Sequence, residues 1–390
     1  MSRMMRKLHL LVILSCLSAI TVAQPGIIPA PPSLAASGYI LLDAASGRVL
    51  VEHNADEQLP PASLTKMMTS YVLSHELAAG RVANSDVVTV SENSWAQNPV
   101  FEGSSLMWIE PGKPVLLEEL HKGVVISSGN DASVAVAEHL AGSEDAFADL
   151  MNQHAELLGM QNTYYINSHG LPAEGHYTSA RDLALLARAT IENHPEDYAL
   201  YAVKEFTYNQ ITQTNRNRLL WRDASVDGLK TGHTQEAGYC LVASAKKSNM
   251  RLISVVMGAS SQSARERETQ KLLAYGFRFF ETYLPYAAGT ELTTSKVWSG
   301  MTDELSLGVA SDVLLTVPRG RHKDLEAVMN VDSEIQAPVI LGAEYGELVV
   351  SLDGNEVMRQ PLVALETIEQ GSIFKRLWHM IILFVLSLVG

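Results

Sequence analysis

Ser63-Leu64-Thr65-Lys66 stands where a proline-rich stretch, Pro60-Pro61-Ala62, gives way to the apolar run Met67-Met68-Thr69-Ser70-Tyr71-Val72-Leu73. The run predicts a buried helix opening near Thr65, and positions three apart on a helix share a face. Ser63 and Lys66 are then neighbours at the helix start. A serine hydroxyl is a poor nucleophile at neutral pH and needs an adjacent base. A lysine in the same turn serves as that base if its surroundings keep it neutral. The helix N-terminus adds unpaired N–H groups and a partial positive charge, both favouring an oxyanion nearby. A buried helix with a working first turn is what the rest of the chain must supply.

Four residues alone prove little, because a short motif counts only in its structural context. Ser244-Ala245-Lys246-Lys247 has the same spacing. It lies between the apolar runs Tyr239-Cys240-Leu241-Val242-Ala243 and Arg251-Leu252-Ile253-Ser254-Val255-Val256-Met257, a strand-turn-strand pattern that predicts a solvated turn. Ser128-Gly129-Asn130 is predicted on a short loop between a helix near 116–120 and the helix after Asp131. Its hydroxyl can pass a proton, and its amide can hold a peptide group or orient a lysine. Taken singly, helix capping explains it as well, and Ser91-Glu92-Asn93 repeats the form. Lys230-Thr231-Gly232-His233-Thr234 follows Val226-Asp227-Gly228-Leu229. On a strand, Lys230 and Gly232 share one face. The lysine brings positive charge and the glycine lets another backbone lie close. Alone, this stretch is an edge strand with a turn.

A chain of 390 residues allows one large domain or two of ordinary size. Its net charge is −14 and it has no Lys/Arg run, which excludes nucleic acid as a partner and electrostatic docking on anionic lipid. Residues 1–23 are expected to be a secretory signal peptide, with an uncleaved N-terminal anchor as the alternative: Arg3, Arg6 and Lys7, an apolar core over 8–20, and Ala23 before Gln24. Losing those three cations takes the charge from −14 to −17. Cys16 leaves with the signal, so Cys240 stands alone and no intramolecular disulfide can form. Cys240 is expected as a small core residue. No His or Cys falls at metal-ligand spacing, so neither metal nor cofactor is expected, and His169 and His176 are read as structural.

Residues 24–37 form a proline-rich lead-in. Tyr39-Ile40-Leu41-Leu42-Asp43 and Arg48-Val49-Leu50-Val51 predict a hairpin. From 63 to about 193 the pattern is mostly helical, with a stop at Gly142 and a capping box at Ser179-Ala180-Arg181-Asp182. Strands return over 228–257, and 266–283 predicts a helix. Composition shifts at Leu284-Pro285, separating a domain over 38–284 from a small all-β domain over 285–370, with a turn at Asp353-Gly354. The last segment, 371–390, has Lys375-Arg376 ahead of an apolar run. Fourteen helical residues reach about 21 Å, short of a hydrocarbon core of roughly 30 Å. The expectation is a C-terminal membrane anchor entering from outside, apolar all round, with Trp378 at the interface. A buried terminal helix is the alternative.

Taken in order, Ser63…Lys66, Ser128…Asn130 and Lys230-Thr231-Gly232 resemble the serine-lysine acyl-transferase set shared by penicillin-binding proteins and class A β-lactamases. The stretches Asn215-Arg216-Asn217 through Trp221, Val226-Asp227-Gly228 through Thr234, Val256-Met257-Gly258-Ala259 and Tyr275-Gly276-Phe277-Arg278-Phe279-Phe280-Glu281 narrow the likeness. They resemble the low-molecular-mass penicillin-binding proteins of the type 5/6 group, periplasmic D-alanyl-D-alanine carboxypeptidases, over nearly the whole chain. The resemblance implies an α+β, β-lactamase/transpeptidase-like domain, an antiparallel sheet with helices on both sides and a mainly helical subdomain, before the all-β domain. It implies that Ser63 attacks, that Lys66 takes the proton and that Ser128 relays one. It assigns Asn130, Lys230, Thr231, Gly232, His233, Thr234, Arg216 and Arg265 to substrate, with the N–H groups of Ser63 and His233 as oxyanion hole. The implied substrates are peptidoglycan stem peptides, with β-lactam antibiotics as covalent inhibitors, at the periplasmic face of the bacterial inner membrane. A β-lactamase and a DD-endopeptidase or transpeptidase are the rival enzymes. A non-catalytic wall-binding or scaffold protein is the rival of another class. The β domain, the tail and His233 after Lys-Thr-Gly speak against a β-lactamase.

Overall fold

The structure is a computed structural model that describes residues 28–389. The expected signal peptide, 1–23, and the start of the lead-in lie outside them. β1 (Gly38–Asp43) and β2 (Val49–His53) form the predicted hairpin. A 3₁₀ turn, Ala62–Thr65, leads into α1 (Lys66–Ala78). β3 (Val87–Thr89) pairs with β4 (Pro114–Leu116). Next come α2 (Leu117–Lys122), a π turn over Gly123–Ser127, α3 (Asn130–Ala141), α4 (Glu144–Leu157), α5 (Ala180–Asn193) and α6 (Pro195–Tyr198). β5 (Glu205–Tyr208) pairs with β6 (Ile211–Thr214), and α7 (Leu219–Arg222) follows. β7 (Val226–Thr234), β8 (Gly238–Lys247) and β9 (Met250–Ala259) then complete a five-stranded antiparallel sheet in the order β2-β1-β9-β8-β7. α8 (Gln262–Phe279) closes this part.

The central strands are buried on both faces, and their alternation sorts two cores. Ile40, Leu42, Val242, Ile253 and Val255 point into the larger core with α1 and α5, while Leu41, Leu241, Leu252 and Val256 point to the other with α8. Helices therefore cover both sides, as expected. α1 is buried from Lys66 through Ser74, which explains the unbroken apolar character of that run. Cys240 is wholly buried.

The rest is β. β10 (Phe280–Tyr286), β11 (Glu291–Trp298), β12 (Glu304–Gly308), β13 (Val313–Pro318), β14 (Leu325–Val331), β15 (Ile335–Gln336), β16 (Glu344–Leu352) and β17 (Asn355–Ala364) form a two-stranded and a six-stranded sheet. Asp353 and Gly354 both take positive φ, 55° and 75°, as a two-residue hairpin turn requires. This unit docks on the β1–β2 turn, where Thr282 donates to Asp43 and Arg48 Nη1 donates to the Thr316 carbonyl. α9 (Ile373–Val389) ends the chain.

Four expectations need correction. The helix predicted over 266–283 is α8, which starts earlier and stops at Phe279. The aromatic, β-branched stretch from Phe280 instead pairs with β13, so the Leu284-Pro285 junction falls inside a strand. Residues 63–193 are less helical than read, because 158–179 are irregular and β3 and β4 interrupt. Ser244 is not in a turn: it is buried within β8 and accepts from Arg251. The capping box at Ser179 is half made. Ser179 Oγ accepts from the Asp182 N–H, but the Asp182 carboxylate is engaged by Asn162 N–H and the Thr163 hydroxyl.

Candidate active site

The three motifs meet at the mouth of the sheet, on elements that come from different parts of the chain. Ser63 sits in the 3₁₀ turn ahead of α1, partly exposed. Lys66, the first residue of α1, is about 1% exposed. Its ammonium donates to Ser63 Oγ at 3.3 Å, to Asn130 Oδ1 at 2.6 Å and to the His169 carbonyl at 2.6 Å. Burial drives its pKa from 10.5 down to about 7, against the opposing pull of Asp131 and Glu144.

Ser128 takes a left-handed conformation, φ 61°, between the π turn and α3. That strained position aims its hydroxyl at β7, where Lys230 Nζ donates to it at 2.8 Å. Lys230 is buried too, and its pKa falls well below the usual lysine value through burial, then through Lys66, Arg216 and Arg265. Two serine–lysine pairs thus face each other. Asn130 opens α3, with Oδ1 on Lys66 and Nδ2 donating to Ser104 Oγ at 2.8 Å.

β7 lies at the sheet edge, so one side of its backbone is free to meet a ligand. Gly232 lies against the turn that carries Ser63: a Cβ there would stand 3.0 Å from the Pro61 carbonyl. Thr231, Gly232, His233 and Thr234 line a cleft of about 550 Å³ together with Ser63, Ser128, Asn130, Arg216 and Arg265. His233 stacks on Tyr239 with centroids 3.8 Å apart, and its Nδ1 hydrogen-bonds the Gly238 carbonyl at 3.0 Å. Arg265 is buried, donates to the Gly232 carbonyl at 3.1 Å, and leaves its Nε without a partner. Thr234 Oγ1 also accepts from Ala237 N–H, which closes the β7–β8 turn. Lys66 and Lys230 lie beneath the cleft.

The floor depends on groups that the sequence did not single out. Asp131 accepts from the N–H groups of Met107, Trp108, Ile109 and Ala132, fixing the segment that carries Ser104. Glu144 accepts from the N–H and hydroxyl of Ser168, next to the His169 carbonyl that receives Lys66. Gly170 sits so close to the turn that carries Ser63 that a Cβ would lie 1.9 Å from the Ala62 carbonyl. His176 bonds Thr65 Oγ1 at 2.8 Å, a structural role, and burial keeps His169 and His176 down near 3 and 4. Glu102, Leu171, Arg218 and Gln262 also line the cleft. A Gly-Ser-Ser turn at 103–105 was the visible signal for Ser104, but a turn of that composition is too common to single out.

A serine–lysine pair at the head of a buried helix, a second pair behind it and an edge strand beside both, on a helix-covered antiparallel sheet, define the penicillin-binding class of serine–lysine fold. The chain belongs to the D-alanyl-D-alanine carboxypeptidase family, which residues 26–261 match; residues 280–370 match the C-terminal domain of penicillin-binding protein 5. It is 50% identical over 354 residues to D-alanyl-D-alanine carboxypeptidase DacA of Escherichia coli K12, covering 90% of this chain and 88% of that protein. Penicillin binding protein 5 from Haemophilus influenzae superposes with a TM-score of 0.84 at 42% identity, covering 88% of this chain and 100% of the other. Penicillin-binding protein D2 from Listeria monocytogenes, solved in its ampicillin-bound form, superposes at 0.57 and 27% identity over 64% of this chain and 100% of its own.

Proposed function

We propose that this protein is a serine-type D-Ala-D-Ala carboxypeptidase that removes the terminal D-alanine from peptidoglycan pentapeptides. The observation that carries the reading is Lys66, buried, lowered to about 7 and 3.3 Å from Ser63 Oγ. A neutral lysine takes the Ser63 proton as Oγ adds to the carbonyl between the two D-alanines. The N–H groups of Ser63 and His233 receive the oxyanion. Ser128, paired with Lys230, passes a proton to the departing amine as the C–N bond breaks, leaving an ester on Ser63. Water, deprotonated in turn, adds to the ester and frees Ser63. Asn130 holds the peptide and Lys66. Thr231 and Gly232 align the substrate backbone along β7, and Arg216, Arg265 and Thr234 receive its terminal carboxylate.

β-Lactams acylate Ser63 in the same way, which the likeness to a relative solved with ampicillin supports. A β-lactamase would turn penicillin over, whereas a carboxypeptidase holds it as a lasting acyl-enzyme. The test is to incubate the full-length protein in detergent with a pentapeptide ending in D-Ala-D-Ala and with a fluorescent penicillin. Release of D-alanine and stable labelling, both lost in Ser63→Ala, are expected. Labelling that persists in the variant overturns the assignment.

In this reading the peptidase unit ends with α8 at Phe279 and the β domain starts with β10 at Phe280, a few residues ahead of the 284/285 boundary expected from composition. Residues 1–23 direct export, which places the enzyme in the periplasm, and 371–390 hold it to the inner membrane. No described helix is long and apolar enough to cross a membrane. α9 has 17 residues, about 26 Å, and docks to the β domain by a polar stripe: Lys375 pairs with Asp303 at 2.9 Å and His379 Nδ1 accepts from Ser299 N–H. Phe374, Trp378, Ile381, Phe384 and Val385 stay exposed. Such a helix suits lying within one leaflet, with its polar stripe on the protein. Removing 373–390 should move the protein from the membrane to the soluble fraction.

A further inference from the structure

Away from the cleft, the far end of α1 carries a cluster that no step above uses. His75 and Glu76 occupy its last turns, nine and ten positions beyond Lys66, which is about 14 Å along the helix. His154, on α4, is buried against them. The His75 and His154 rings meet edge to face with centroids 4.8 Å apart. One nitrogen from each imidazole and one Glu76 oxygen all lie within 4.8 Å of one another. A second observation comes from the turn joining α5 and α6. His194 is only 8% exposed, its Nε2 is buried without a hydrogen-bond partner, and its ring lies perpendicular to that of His75 at 6.4 Å.

We infer that His75, Glu76 and His154 form a site for a divalent transition metal, of which zinc is the best match, and that His194, which lies outside the 4.8 Å group, swings in as the fourth ligand when the metal binds. Imidazole nitrogens with one carboxylate suit zinc and its neighbours. Magnesium and calcium demand oxygen-rich shells that this cluster does not offer. Four ligands from α1, α4 and the α5–α6 turn would give a closed tetrahedral set, which is a structural site rather than a catalytic one. The orphaned Nε2 of His194 gains a partner, and the three elements are tied at the end of the helix whose head bears Lys66.

The cluster has one competitor. Both Glu76 oxygens are held by Arg81, from Nε at 2.5 Å and Nη2 at 2.7 Å. Metal and guanidinium contend for the same carboxylate, so removing Arg81 should strengthen binding while removing a histidine weakens it. A merely structural role for these residues predicts no such opposite pair.

The experiment is equilibrium dialysis of chelator-treated, full-length protein in detergent against zinc chloride, with magnesium chloride as comparison. Expected are one saturable zinc per chain, no magnesium, and a higher unfolding temperature with zinc. His75→Asn and His154→Asn should each weaken zinc by at least about tenfold, since even losing a second-shell partner costs that much. Arg81→Gln should tighten it. His75 is solvent-accessible, so its variant remains informative if His154→Asn fails to fold by circular dichroism. Cobalt in place of zinc should show tetrahedral visible bands that weaken in His194→Gln. Absence of saturable zinc, binding unchanged in His75→Asn and Arg81→Gln, or equal uptake of magnesium overturns the assignment.

Discussion

The acylation rate of Ser63 should rise with pH through about 7, the value to which burial lowers Lys66. With that value the free-base fraction is about 9% at pH 6, about half at pH 7 and about 91% at pH 8. An exposed lysine at its ordinary value would be about a thousandfold less available at pH 7. The shift from 10.5 to about 7 corresponds to roughly 5 kcal/mol of preference against the ammonium form in this fully buried setting. The same preference must appear in stability. Between about 7 and 10.5 the unfolded chain carries the proton and the folded one does not, so stability rises with pH across that window and is flat below it. Lys66→Met removes this dependence together with the base. The assays are stopped-flow acylation by a chromogenic cephalosporin from pH 5.5 to 8.5, and urea unfolding of both proteins from pH 6 to 10.5. Expected are about a tenfold rise in rate from pH 6 to 8 and a wild-type stability that gains on the variant only above pH 7. A rate flat from pH 6 to 8, or a stability difference that does not change up to pH 10, refutes a neutral Lys66.

Gly170→Ala should cripple acylation and lower the unfolding temperature, because φ is +89° there and the added Cβ would lie 1.9 Å from the Ala62 carbonyl; a variant that labels at the normal rate would mean the two loops are free to part. Asp131→Asn loses charged acceptance from backbone N–H groups behind Ser104 and should cost about 3 kcal/mol by urea unfolding. His379→Ala removes the acceptor of Ser299 N–H and a ring packed on Trp298 at 5.4 Å. It should speed hydrogen exchange at Ser299 while leaving D-alanine release unchanged.

What the sequence made legible is what linear spacing encodes. Ser63 and Lys66 share a turn, Lys230 and Gly232 share a strand face, and each spacing carries its own geometry. β8 and β9 were readable as strands because the apolar runs 239–243 and 251–257 flank a polar stretch. What stayed hidden has no side-chain signature or spans distant segments. The His169 carbonyl that accepts from Lys66 is backbone, which any residue could supply. Asp131 stands next to the flagged Asn130, yet its four N–H partners sit mostly in a loop more than twenty positions away. His75, His154 and His194 show no short-range metal spacing, because α1, α4 and the α5–α6 turn bring them together. The strand at Phe280 was mistaken for helix since its partner, β13, lies some thirty residues on.

The charge distribution bears on selectivity for a chain end. The protein carries −14 overall, yet Lys66 and Lys230 lie under the cleft, Arg216 and Arg265 line it, and Glu102 is the carboxylate at its rim. Lys66, Arg216 and Arg265 all push Lys230 toward its neutral form. A substrate carboxylate entering beside the arginines offsets part of that repulsion. It would raise Lys230 toward the ammonium form, which is the form that can donate through Ser128 to the leaving amine. A peptide with an amidated C-terminus brings no such charge, so it should lose in acylation as well as in binding. If amidation raised KM and left the acylation rate constant unchanged, the arginines would serve only to hold the substrate, and the coupling through Lys230 would be wrong.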